Sequence, residues 1–146
     1  MLRRIDRAVV VIVTAVVGLS AIIPGWTIAT SGTVGGFRLP AEWLSGSAPF
    51  RDFVIPGLIL LLVIGVGGVL TATLNVADNR LASVVALAYG LVLVGWIAGE
   101  LVFMTQTMVL TWVILAAGVV VAVLAAPDAL PALRDRLAGP HRQPGG

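Results

Sequence analysis

The residue of this chain best placed to do chemistry is Glu100. It ends the apolar run 81–99 and opens the stretch "ELVFMTQTMVLTW", in which a brief polar break separates two apolar runs. A carboxylate there can hold a proton or a cation, or close an ion pair. A charged side chain at the bilayer centre costs about 2.5–3.5 kcal/mol on insertion scales and less toward the edge, so it usually faces the bundle and has a partner. The candidate partners are Arg51 and Arg38, followed by Gln106 and Thr107. Arg51 is favoured as the arginine most nearly fixed at the right depth. Three readings stand side by side. Glu100 and Arg51 form a buried ion pair that staples a loop to the bundle, or Glu100 binds a proton or cation in a small outward-facing cavity, or it contacts another subunit. Trp96 and Trp112 complete this intramembrane polar and aromatic group.

The elements that position it follow from composition. The chain has 146 residues, of which 59% are hydrophobic and only 11% charged. A soluble domain carries about 25% charged residues. The mean hydropathy is +1.08, and the apolar residues fall in long blocks, the mark of a membrane protein. Cysteine is absent, which excludes disulfides and thiolate chemistry. The single histidine, His141, lies in a Pro/Gly-rich tail, so no histidine metal or haem site is expected within the bilayer. No cofactor is expected. A net charge of +2 with no basic, aromatic-interleaved surface argues against nucleic-acid binding.

Four segments, 8–23, 53–74, 81–104 and 108–126, are long enough to cross a hydrocarbon core of ~30 Å at ~1.5 Å per residue. Backbone groups in lipid must be satisfied within the segment, so each is a helix and the fold is an all-α four-helix bundle. "NVADNR" (75–80) and "TQT" (105–107) are short turns, the latter forcing the third and fourth helices into an antiparallel hairpin. Residues 24–52 form the outer loop between the first two helices. Residues 127–146 leave the membrane at Pro127, first as a short amphipathic helix on the headgroups bearing Leu130, Leu133 and Leu137, then as a disordered tail from Gly139. Arg3, Arg4, Arg7, Arg80, Arg134, Arg136 and Arg142 fall on one side, and only Arg38 and Arg51 on the other. The positive-inside rule therefore predicts a multi-pass plasma-membrane protein with both termini cytoplasmic. The start resembles a signal peptide, but Leu19 occupies the position three back from Ala21 where a small residue is wanted, so a retained first span is expected.

At the outer end, Trp26, Trp43, Trp96 and Trp112 gather with Phe37, Phe50, Phe53 and Phe103. Inside, only Tyr89 answers them. The asymmetry predicts that the loop folds down as a cap. Within it, "LPAEWLSG" (39–46) reads as a short helical turn with Pro40 at its first position, and Asp52 as the cap of the second helix. By helical rise Glu100 lies roughly 7 Å inside the outer boundary. Tyr89, Leu93, Trp96 and Glu100 share one stripe of the third helix. Beside it runs a G-x-x-x-G pair, Gly95 and Gly99, expected to admit a neighbouring helix closely. Gly65 and Gly68, with the Thr14/Gly18 and Gly118/Ala122 pairs, read as further close contacts, within one bundle or between copies.

The motifs "PAEWLSGSAPFRDFVIPGL", "GWIAGELVF" and "TQTMVLTW" resemble those of small uncharacterised four-span membrane proteins of actinobacteria. Their outer loop carries an E-W-L-x-G-(S/T)-P-F-x-D/S-(F/Y)-x-I-P-G-L-like pattern, their third helix W-x-x-x-E, and a glutamine-containing turn precedes the fourth. The matching positions are Glu42, Trp43, Leu44, Gly46, Pro49, Phe50, Asp52, Phe53, Ile55, Pro56, Gly57, Leu58, Trp96, Glu100 and Gln106. This chain departs by an extra residue, Ala48, and by lacking a proline after the glutamine. The resemblance implies fold and topology and brings no activity.

Enzyme chemistry finds little support, since no span holds paired carboxylates, metal-ligand spacing or a nucleophile with its base. The leading expectation is a non-enzymatic accessory or scaffold subunit of a plasma-membrane complex, with a larger membrane protein or a second copy as partner. The alternative is a small transporter or a ligand- or lipid-binding protein using Glu100. Small multidrug-resistance exporters also have four helices and one membrane carboxylate, but theirs sits in the first helix and their loops are short.

Overall fold

The computed structural model describes residues 2–44, 49, 51–105 and 107–139. Four helices are long and apolar enough to cross a membrane: Arg3–Ser31, Val54–Val76, Ala82–Phe103 and Val109–Leu137. They form an all-α bundle in which each helix buries a third or less of its apolar window, 22–33%. The outward faces therefore remain apolar and need lipid or protein against them.

The first helix, α1 (Leu2–Ser31), buries Val10, Thr14, Gly18, Ala21 and Gly25, a stripe with helical spacing. It does not stop at Pro24 as the sequence suggested, but runs on to Ser31, so the outer loop begins a full two turns later than 24. Gly25 accounts for part of this. A β-carbon there would stand 2.6 Å from the Leu61 backbone nitrogen, so the helix past the proline is held against the second span. Proline within a spanning helix is tolerated where neighbouring helices support it.

The second span is built of three pieces: α2 (Val54–Ile59), a π-helical stretch (Leu60–Val66) and α3 (Gly67–Val76). The N-cap position of α2 is Phe53, not the expected Asp52, which stands one residue further out and accepts a hydrogen bond from the Val54 amide (3.1 Å). Gly18 meets this span so closely that a β-carbon would lie 2.8 Å from the Gly65 carbonyl oxygen, and one on Gly68 would lie 2.7 Å from Thr14 O. The Gly65 and Gly68 contacts expected from spacing are thus those between α1 and the second span.

The third helix, α4 (Ala82–Phe103), packs mainly on the fourth, α5 (Val109–Leu137). Their closest crossing is at Gly90, where a β-carbon would stand 2.7 Å from Ala122 N and 2.8 Å from Gly118 O. Helix α5 continues through Pro127 and Pro131 to Leu137, so the segment after 127 is no separate helix turning onto the headgroups. It ends where Gly139 adopts a left-handed φ of 64°, the conformation of a helix-terminating glycine. The tail expected to be disordered lies, from 140 on, outside the described residues.

Two tight connections complete the fold. A hairpin of β1 (Thr33–Val34) and β2 (Phe37–Arg38) turns through Gly35 and Gly36, both with positive φ. A single 3-10 turn (Ala41–Trp43) follows, starting one residue after Pro40.

Candidate functional site

Glu100 continues the buried stripe of α4, after Leu93 and Ile97, both fully buried. That stripe faces α5. The Thr111 hydroxyl donates to Glu100 Oε1 at 3.0 Å, and Thr111 is only 3% exposed. The ion pair with Arg51 is not formed. Among the described residues the ion pair is Arg7 with Asp78 at the opposite end. Arg51 and Arg38 are exposed and line a separate cavity of about 370 Å³ with Asp52, against the end of α1. The reason is geometric: α2 starts beside the end of α1, whereas Glu100 points from α4 to α5. Gln106 lies outside the described residues.

Glu100 also lines a cavity of about 150 Å³ at the end of the bundle that carries the long loop. Gly95, Trp96 and Gly99 of α4 form one wall, Pro56 of α2 another, and Leu44 and Met104 stand over it. The expected close helix approach to Gly95 and Gly99 is absent: a β-carbon at either would meet nothing within 4 Å. The α4–α5 contact is made one face round, through Gly90, and α4 meets the second span through α3 and, by way of Tyr89, through the π-helical stretch, away from Gly95 and Gly99. Trp96 is half-buried beside the cavity, while Trp112 is 55% exposed and points outward, as an interfacial ring would.

The loop does cap this region, by backbone bonds rather than by charge. The Thr105 amide donates to Trp43 O (3.1 Å), and Leu44 pairs with Met104 as an isolated antiparallel bridge. The Met104 amide in turn donates to Glu100 O (2.8 Å). The end of α4, including the Glu100 backbone, and the loop are therefore mechanically one unit.

Thr111 was the partner that sequence reasoning missed. The signal was present: in a tight helical hairpin, residues at nearly matching distances from the turn, within one position, face one another. Glu100 lies five before Thr105, and Thr111 four after Thr107. Among the described residues no group of His, Asp and Glu is arranged to hold a metal ion. Compared with protein families, with curated proteins and with solved structures, the chain matches none, so the bundle and the cavity beside Glu100 stand on their own geometry.

Proposed function

We propose that this chain is a non-enzymatic accessory subunit of a plasma-membrane complex, with both termini cytoplasmic, and that it takes a transmembrane helix of a larger partner against the outer half of α4. It would be kin to the small actinobacterial four-span proteins that its motifs resemble. One observation carries the reading. Gly18, Gly25, Gly57, Gly68, Gly90 and Gly118 each abut atoms of another helix closely enough that a β-carbon would come within 3.0 Å of them, whereas Gly95 and Gly99 face open space. Glycine in a helix interior costs about 1 kcal/mol relative to alanine, so a pair of them without a neighbour is a contact surface awaiting one. Glu100 adds a polar anchor in the same groove, where the partner helix would offer a donor. The transporter alternative draws less support. Ligand sites usually enclose about 300–1,000 Å³, and the cavity holds about 150 Å³, room for a side chain rather than a substrate.

The experiment is gentle extraction of the tagged chain into nanodiscs, followed by mass spectrometry of what accompanies it. A stoichiometric larger membrane protein, lost when Gly95→Leu and Gly99→Leu are introduced together, is the expected result. The chain has no cysteine, so Gly99→Cys gives a clean cross-linking probe. A disulfide between two copies would make the partner a second copy. A lone monomer carrying a small molecule would overturn the accessory reading in favour of the cavity.

A further inference from the structure

Another cavity lies at the other end, among the start of α1, the α3–α4 turn and the last turns of α5, and encloses about 540 Å³. Its rim is ionic. Arg3, Arg4, Arg7 and Arg80 line it, against Asp6, Asp78 and Asp128. Arg7 is engaged by Asp78, which caps the turn with a left-handed φ of 52°. No carboxylate among the described residues is within ion-pair distance of Arg3, Arg4 or Arg80. Its floor is apolar: Val10, Ala86 and Ala125 belong to the buried core of this end. Asn75, 6% exposed, lies in the wall and holds the turn by donating to Thr71 O (2.8 Å) and Ala82 O (3.3 Å).

We propose that this cavity is a binding site for a phosphate group, supplied by an anionic phospholipid of the leaflet on the side of the termini. Three arguments converge. Guanidinium forks without carboxylate partners match phosphate oxygens bidentately. The four arginines exceed the three aspartates by one charge, which a single phosphodiester neutralises, whereas inorganic phosphate carries more. The apolar floor gives a glycerol backbone and the first acyl carbons somewhere to lie, and a free phosphate has no use for it. Basic pockets between spanning helices at the cytoplasmic headgroup level are where such lipids are held.

The test uses the full chain in nanodiscs made from equal parts phosphatidylglycerol and phosphatidylcholine, released gently for native mass spectrometry of retained lipid. Each arginine near the surface contributes about fivefold, so phosphatidylglycerol should be enriched at least about tenfold. Two variants should each bring that enrichment close to unity. Arg3→Gln/Arg4→Gln/Arg80→Gln alters only exposed side chains. Ser83→Trp fills the cavity and leaves charge and topology alone. Arg134→Gln/Arg136→Gln, on the same side but outside the cavity, should keep it. The proposal is overturned if the enrichment survives both cavity variants, or if the Arg134/Arg136 pair lowers it equally, which would mean diffuse surface attraction. Complete displacement of the lipid by millimolar inorganic phosphate would overturn the lipid as the source.

Discussion

Thr111 donates its hydroxyl hydrogen to Glu100 Oε1 across the α4–α5 interface at 3.0 Å, and this bond, not an arginine, is what answers the carboxylate. Thr111→Val removes the donor while keeping the shape. Interhelical polar pairs in membranes contribute about 0.6 kcal/mol on average, rarely above ~1.7. Thr111→Val and Glu100→Leu, which removes the acceptor, should therefore couple by roughly that amount in a double-mutant cycle scored by unfolding in detergent. Glu100→Gln and Arg51→Gln should be additive within about 0.5 kcal/mol. Coupling between Glu100 and Arg51 larger than that with Thr111 would overturn the assignment.

The glycines divide into two classes with opposite expected signs. A methyl group added at Gly68 or Gly90 must displace backbone 2.7 Å away, and overpacking of this kind costs about 1–3 kcal/mol. At Gly95 or Gly99 it enters open space, so alanine should leave the isolated chain unchanged or stabilise it by up to about 1 kcal/mol through helix propensity. Thermal melts of the four single variants in one detergent decide this. A destabilised Gly95→Ala would show that α4 already has a neighbour there.

Much of this fold was legible beforehand. Helices were forced by lipid-length apolar runs and the hairpin by the shortness of "TQT", while the spacings at Gly18, Gly65 and Gly68 marked close helix contacts without saying which helices would meet. What was not legible depended on three-dimensional register. Two equally good glycine faces exist on α4, and nothing in sequence says that Gly90 meets α5 while Gly95 and Gly99 stay open. Likewise the reach of Arg51 toward Glu100 was plausible in depth but wrong in azimuth, which a linear sequence does not fix. The prolines at 24 and 127 misled in the same way: both sit inside continuous helices, and a proline is tolerated there where neighbouring helices support the freed backbone groups.

Tyr89 ties α4 to the irregular part of the second span. Its phenol donates to Ile64 O (2.8 Å) inside the π-helical stretch, and its ring lies over Gly67 at 3.5–3.6 Å from where a β-carbon would be. Tyr89 is 5% exposed, so Tyr89→Phe should cost about 0.5–1.5 kcal/mol, the net worth of one buried hydrogen bond. π-helical turns inside longer helices are frequently functional, but here the widened turn has a packing role. If so, Tyr89→Phe lowers thermal stability and leaves the lipid enrichment at the α1, α3–α4 and α5 cavity unchanged. An unaltered melting temperature would remove the packing role.

The loop closure can be opened by one substitution that spares the helices. Met104 already has extended backbone, φ −106° and ψ 139°, which is the conformation a residue before proline requires. Thr105→Pro therefore suits the residue before it, and deletes the N–H that bonds Trp43 O. The hydroxyl contact to the same carbonyl, at 3.4 Å, goes with it. Without these bonds the 3-10 turn and the Leu44–Met104 bridge lose their anchor, and the loop lifts from the cavity beside Glu100. Trypsin added from the loop side should then cut at Arg38 and Arg51 faster than in the unaltered chain, by several-fold if closure is worth about 1 kcal/mol. Thr105→Val, which keeps the amide and loses only the longer hydroxyl bond, should cut at nearly the original rate. Equal rates in all three chains would mean that the loop is held by its apolar contacts, with the backbone staple contributing nothing measurable.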